Sequence, residues 1–363
     1  MAVEYHTSLI LPEYSPRCIT SIGPDALTRC RGLTSLTLPG TLTSIGENAL
    51  SHCSGLTSLT LPVTLTSIGP NALADCSSLT SLTLPPTVSY IGALALKGCR
   101  GLTTLILPHT LTDIGPCVLE RCSGLTSLTL PPTLTRIDNG ALARCTGLTS
   151  LALPVTLTCI GDGALTRCSG LTSLTLPPTL TAIGREALLF CSGLTSLTLP
   201  HKLTYIGKSV LAFCTGLTSL TLPPTLTRID DDALSNCSGL TSLTLPPTLT
   251  AIGKYALWCC SGLNSLTFPH ALRHVGNNAF EDCAGLTSVA FRCRVLSVSP
   301  VFIVWAVGNS RNRDNCEITT LKYTRNVLRL ITITVLTFER RDIASVDPDG
   351  SRGVFKGCIG LNI

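Results

Sequence analysis

A single alternation of apolar and polar positions runs through most of the chain, and the stretch from Leu33 to Gly55 shows it in full. Leu36 and Leu38 alternate with Ser35 and Thr37, the period-two signature of a strand with one buried face. Pro39 has no N–H to give to a ladder, so the strand stops there. Leu42 and Ile45 then point inward from an extended return segment. Gly46 follows, where a φ above zero is expected; Asp138 and Asp230, which replace it in two other copies, are among the residues that tolerate that conformation. Ala49, Leu50 and Cys53 fall at i, i+1 and i+4, one face of about two helical turns. Gly55 turns the chain back into the next strand. The expected filling of the unit is therefore Leu33, Leu36, Leu38, Leu42, Ile45, Ala49, Leu50 and Cys53.

The same phrase returns every 23 residues, with its clearest copy from Leu125 to Gly147, and its most rigid marker is a cysteine: Cys30, Cys53, Cys76, Cys99, Cys122, Cys145, Cys168, Cys191, Cys214, Cys237, Cys260 and Cys283. A unit this short cannot bury its own apolar face and must be covered by the next copy, so the pattern predicts an α/β repeat solenoid of about twelve coils. Parallel strands at about 4.8 Å would build a sheet roughly 55 to 60 Å across, with equivalent side chains aligned in rows.

Residues 1–32 read as an N-terminal cap with an irregular first repeat, because extra residues around Glu13 to Pro16 separate Leu9-Ile10-Leu11-Pro12 from Ile19-Thr20-Ser21-Ile22-Gly23. Residues 33–291 are the regular array. At Arg292 the strand-ending proline is lost, and 292–353 reads as an insertion or translated intron sequence. Residues 354–363, with Phe355, Cys358 and Gly360, resume part of a repeat. The apolar stretches Val295 to Val307 and Val327 to Phe338 are too short to read as membrane spans.

Composition narrows the function classes. Charged residues are 13% and aromatic residues 4% of the chain, against 44% hydrophobic, the profile of leucine-filled coils rather than of an aromatic cleft. The formal charge of +5 lies outside the array: residues 1–291 hold 15 Lys plus Arg against 15 Asp plus Glu, whereas 292–353 hold 10 against 6. A neutral array leaves no electrostatic footprint for nucleic acid. Of the 19 cysteines, the twelve in register sit at inward positions, so they are expected to form a reduced, buried ladder rather than a disulfide framework. Many free thiols favour a reducing compartment, and the start Met1-Ala2-Val3-Glu4-Tyr5-His6 has no basic n-region, so a cytoplasmic location is expected.

The phrase, from residue 9 to residue 291, resembles the leucine-rich repeat family, whose general form is LxxLxLxxN. It is most similar to the 23-residue subclass of BspA-like surface proteins and of a treponemal leucine-rich repeat protein. Leu replaces Phe in the A-F pair of nearly every coil; Ala279-Phe280 keeps the family form. The resemblance implies a right-handed curved solenoid with its parallel sheet on the concave face, a partner-binding strand side, adhesion or host interaction, and no catalysis. It also implies a cell-surface location, the alternative to the cytoplasmic one if an export signal lies outside this sequence.

Candidate sites follow from the rows. The outward strand positions are nearly uniform: Thr34, Ser35 and Thr37 in one coil, Thr126, Ser127 and Thr129 in another. Uniform hydroxyls suit a ligand that itself repeats, such as a glycan or an ice lattice, since varied aromatic and Arg hot spots are missing; the plainer reading is that Thr forms strands well and its hydroxyls pair across them. Arg121, Arg144 and Arg167 share one slot in consecutive coils, and their repulsion would be relieved by an anionic partner or simply screened by solvent. Phe190 and Phe213 occupy that slot further along, with Trp258 close by two coils later, an apolar strip for a partner or else partly buried packing.

Catalytic and metal signals are weak. His109, His201 and His270 share a slot but lie coils apart, Cys259-Cys260 is not a CxxC pair, and Gly207-Lys208-Ser209 lacks the upstream glycine of a phosphate loop. Asp230-Asp231-Asp232 reads as an acidic surface turn, and the middle residue of the sequon Asn236-Cys237-Ser238 is expected to be buried. No cofactor is expected. The sequence therefore predicts a non-enzymatic scaffold binding a protein or polysaccharide partner, with a surface adhesin or a structural or ice-binding solenoid as alternatives.

Overall fold

The computed structural model describes residues 7–11 and 19–291, together with the short segments 297–298, 316–317 and 337–338. The chain divides into two units, Met1–Cys191 and Ser192–Ile363. In each, the described coils that repeat the 23-residue phrase form a parallel-strand solenoid; in the second, 316–317 and 337–338 pair antiparallel. The cap residues 12–18 and nearly all of 292–363, including the resumed repeat, lie outside the described residues.

The leucine-alternating segments form the first ladder. Leu36 aligns with Leu59 and Leu82 with Leu105 in the first unit, as do Leu151 and Leu174. In the second unit Leu197 aligns with Leu220 and Leu266 with Val289. The first copy joins the same ladder, Leu9 opposite Leu36. The return segment is itself a second ladder: Ile22, Ile45 and Ile68 align in the first unit, and Ile206, Ile229 and Ile252 in the second. That ladder reaches Ser297–Val298, which pairs with His274–Val275 beyond the lost proline.

The third side differs from expectation, because no helix occurs among the described residues. In the Leu33 to Gly55 coil, the amides of Ala49, Ser51 and Cys53 donate three residues back, to Gly46, Asn48 and Leu50 carbonyls. The alternate amides of Asn48, Leu50 and His52 donate instead to Pro70, Ala72 and Ala74 of the next coil, at 2.9, 2.8 and 2.7 Å. The segment is thus a run of turns that also serves as an inter-coil ladder. The reason is spacing. Two β-ladders hold neighbouring coils about 4.8 Å apart, whereas packed helices need about 8 to 10 Å between axes. The α/β description therefore gives way to an all-strand-and-turn solenoid. It has about 11 turns rather than twelve, since the described first copy is interrupted and complete turns run from Leu33 to Leu286.

Left-handed backbone lies at other positions than the glycine after the isoleucine. Gly46 is not among the positive-φ residues; Asn48 (φ 53°) and His52 (φ 58°) are, and so are their equivalents along the array. Gly46 is required by approach instead: a Cβ there would stand 2.8 Å from the Pro24 backbone nitrogen. Where aspartate replaces it, an arginine two residues earlier accompanies it, and Arg136 pairs with Asp138 as Arg228 does with Asp230.

The eight expected core positions are all buried, from Leu42, Ala49, Leu50 and Cys53 with no exposure to Leu38 at 8%. In the second unit Phe280 meets Phe268 edge to face at 5.4 Å, so the one phenylalanine of family form fills its coil together with a second ring. The described cysteines are all free thiols. Along the ladder the thiols donate to the carbonyl of a leucine three residues before the previous cysteine: Cys76 to Leu50 at 3.3 Å, Cys122 to Leu96 at 3.2 Å, Cys168 to Leu142 at 3.2 Å. Burial pushes these thiols up, Cys53 to about 11 and Cys99, Cys168 and Cys260 to about 12.

This packing can be tested at its glycines and its thiols. A Cβ at Gly147 would stand 2.3 Å from the Ser123 carbonyl oxygen, whereas one at Gly40 would meet nothing within 4 Å. Gly147→Ala should lose about 1 to 3 kcal/mol in urea unfolding, and Gly40→Ala should leave the midpoint nearly unchanged. The thiols set an alkaline limit. Below the ordinary thiol pKa, near 9.0, folded and unfolded chains both keep the protons. Between 9.0 and about 12 the unfolded chain loses them while the folded chain holds them, so stability falls as pH rises. The unfolding temperature should hold steady from about pH 7 to about pH 8.5 and drop above about pH 9. Cys168→Ala, although less stable overall, should show a shallower alkaline drop.

Candidate functional site

Two faces carry the candidate residues. On the strand face, Ser35–Thr37 alternates exposed, buried, exposed. The Thr34 hydroxyl donates to the Thr7 carbonyl at 2.7 Å, Thr57 to Thr34 at 3.2 Å, and Thr149 to Thr126 at 3.2 Å. These bonds run from hydroxyl to backbone, not from hydroxyl to hydroxyl as expected. Two more threonine rows, to which the sequence pattern assigns no role, do the same: Thr66 donates to Thr43 at 3.0 Å, and Thr133 lies 2.8 Å from the His109 carbonyl and 2.6 Å from that of Leu111. Recurrence at nearly every coil is the signal that could have found them. Much of the threonine monotony is therefore a fastening between coils.

The rows at Ser35 and Thr37 remain exposed, as do Ser127 and Thr129. The face is not uniform, however. Strand pairing in the first unit thins at Thr126 and Ser127, where an isolated bridge joins Thr129 to Ala152. Ile106 lies 53% exposed in the Thr37 row.

The turn side carries the remaining candidates. Arg121, Arg144 and Arg167 occupy the left-handed slot before the ladder cysteine, at φ 64°, 63° and 60°. Their backbone amides bond to Ala143, Thr166 and Leu189 of the following coils, so the guanidinium groups are presented from a fixed frame. The expected mutual repulsion is largely met within the protein. Arg121 lies 3.5 Å from Glu120, which also meets Lys97 at 3.1 Å, and the Arg167 guanidinium stacks over Phe190 at 4.3 Å from the ring centre. Arg144 stands exposed between them, and makes no ion pair among the described residues.

Phe190 is half-buried under that arginine in the first unit. Phe213 is half-buried in the second unit, at the same kind of left-handed position (φ 60°). Trp258 lies beside that slot, which Cys259 fills in its coil, and packs edge-on against Tyr255 at 6.4 Å, with Lys254 over the tyrosine ring at 5.0 Å. Phe190, Trp258 and Tyr255 are thus held in small cation and ring contacts.

The remaining motifs are absorbed by the turns. Ser209 is left-handed (φ 53°) and donates its amide to Asp231, a turn geometry with no helix behind it. Cys237, inside the sequon, is fully buried. Among the described residues no group of three or more His, Cys, Asp or Glu could hold a metal ion, and no helix is long and apolar enough to cross a membrane. The cytoplasmic expectation is not supported. It rested in part on reduced thiols, yet thiols that are buried, bonded to carbonyls and hard to ionise resist exchange in any compartment, so they do not report one.

The family model for the BspA type leucine rich repeat region matches in six copies, over residues 6–126, 119–237 and 210–301. No curated protein sequence gives a significant match. Among solved structures, a leucine-rich repeat protein from Bacteroides ovatus is 28% identical, with 78% of each chain covered and a TM-score of 0.69. One from Eubacterium ventriosum is 20% identical over 78% of this chain and 84% of its own, with a TM-score of 0.54. A leucine rich cell surface protein from Faecalibacterium prausnitzii is 20% identical over 78% and 87%, with a TM-score of 0.43.

The hydroxyl rows separate into structural and outward ones, which stability can test. Thr133→Val should cost about 1 kcal/mol in urea unfolding, the worth of a hydrogen bond between coils. Thr129→Ala, at an exposed position, should stay within about 0.5 kcal/mol of the parent chain.

Proposed function

Because the chain belongs to the BspA-type leucine-rich repeat family, we propose that it is a non-enzymatic binding scaffold that presents extended rows of side chains to a protein or polysaccharide partner at the cell surface. The observation that carries this reading is the division of labour among the hydroxyls. The Thr34, Thr41 and Thr43 rows are engaged in bonds between coils, while the Ser35 and Thr37 rows face outward with no part in the core. A row repeated at about 4.8 Å addresses a ligand that is itself periodic, and a glycan chain is such a ligand. Residues Ser35, Thr37, Ser127 and Thr129 would meet it on the strand side, and Arg144 on the turn side. The reading assigns no catalytic residue and no cofactor, and it gives nucleic acid no role.

The surface half of the proposal draws on the family rather than on any feature of the coils. An antibody against residues 1–291 should label intact cells as strongly as permeabilised ones. Labelling confined to permeabilised cells would remove the surface half of the proposal and turn the partner search to cytoplasmic proteins. Thermal hysteresis of the purified chain would replace glycan binding with ice binding.

A further inference from the structure

Beyond the candidate rows, the first unit carries a cleft on its turn side, with a volume of about 360 Å³, lined by Arg31, His52, Ser54, Asp75, Ser77 and Arg100. Its shape comes from the repeat. Arg31, Ser54, Ser77 and Arg100 occupy the same slot, just after the ladder cysteine, in four successive coils. Two long side chains stand at the ends and two short ones between them, so a dip forms where the serines are. At about 4.8 Å per coil the arginines are roughly 14 Å apart at their backbones.

The slot before the cysteine builds one wall. His52 Nδ1 lies 3.6 Å from Asp75 Oδ2. The next residue in that row is Gly98, at φ 71°, and a Cβ there would stand 2.1 Å from Asp75 Oδ1. The carboxylate thus occupies the space that a side chain at position 98 would fill. The turns beneath are pinned by backbone bonds, Ser77 N to Asp75 O at 2.9 Å and Arg100 N to Gly98 O at 2.8 Å.

We propose that this cleft binds an acidic sugar within a polysaccharide, its carboxylate or sulfate oxygens held by Arg31 or Arg100 and its ring hydroxyls by Ser54, Ser77 and Asp75. The inference rests on the polysaccharide branch of the scaffold reading and gives it a ligand class. Three observations support it. The two guanidinium groups outnumber the one carboxylate, and each can grip an oxyanion through paired N–H bonds. The separation of the arginines suits successive sugars rather than one small anion. The lining contains no apolar side chain to anchor a peptide, whereas the serine hydroxyls and the Asp75 carboxylate offer donors and an acceptor to a polyhydroxylated ring.

The test uses the full chain and isothermal titration with three tetrasaccharides: one of uronic acids, one sulfated and one neutral. Either or both acidic probes should bind, and the neutral one should bind at least about tenfold more weakly; which acidic probe wins identifies the oxyanion. The double variant Arg31→Ala with Arg100→Ala should weaken acidic binding at least about tenfold, while Arg185→Ala, an exposed cation elsewhere in the same unit, should not change it. All of these positions are exposed, and circular dichroism should confirm an unchanged fold. The proposal is overturned if the neutral probe binds as tightly as the acidic ones, if none binds, or if the double variant binds like the parent. Equal capture of polyglutamate through the same arginines would overturn the sugar assignment in favour of an acidic peptide. Neutral binding that survives the double variant would leave the scaffold reading standing and remove only this site.

Discussion

The distance of about 4.8 Å between stacked coils is the constraint on which everything else in this protein depends. It is imposed by backbone hydrogen bonds on the two strand sides, and the turn side has to comply. A helix cannot repeat at half the spacing that helix packing needs, so the A-L-x-x-C segment becomes turns whose alternate amides reach the next coil. Donation there runs forward, from Leu50 to Ala72, while the strand sides donate in both directions, backward from Gly46 to Ile22 and forward from Leu84 to Ile106. Each coil is therefore bonded to both neighbours, and backbone polar groups within the stack find partners, as burial requires.

The side chains finish what the backbone begins. Threonine hydroxyls reach carbonyls of the previous coil in three separate rows, and ladder thiols such as that of Cys76 reach the carbonyl of a leucine. The thiol bond is weak, but cysteine fits where a larger residue would not: it is small, apolar enough for complete burial, and still able to donate. Desolvation keeps it protonated, which maintains the donor. The glycine two residues after the cysteine in most coils answers the same spacing, since at Gly55 and Gly147 a Cβ would stand 2.3 Å from a carbonyl oxygen of the coil below.

Function is left to whatever the stacking does not use. Outward serine and threonine rows, the left-handed slot before the cysteine and the slot after it can all vary without touching the core. The left-handed slot shows how: it accepts Arg, His, Asp, Gly and Phe in different coils because its side chain points away from the leucines. Surface chemistry is thus written in rows, and a shallow cleft such as that between Arg31 and Arg100 arises when short residues interrupt long ones.

The sequence by itself determined the period, the parallel register and the whole inner lining, because a one-residue slip would expose the leucines and each buried slot recurs at every copy. It also determined that the cysteines of the ladder are unpaired and, from Cys53 to Cys283, buried. Only the tertiary structure decided that the third side is turns, that Asn48 and His52 rather than Gly46 take the left-handed backbone, and that the threonine rows divide into fastening and outward ones. Those properties depend on where a neighbouring coil's carbonyls lie. The same distinction applies to the candidate residues: Arg167 resting on Phe190 and Arg121 beside Glu120 are contacts across or within coils that a repeating phrase records as positions but not as partners. The repeat specifies what each position must be, and the distance between coils decides what each position can touch.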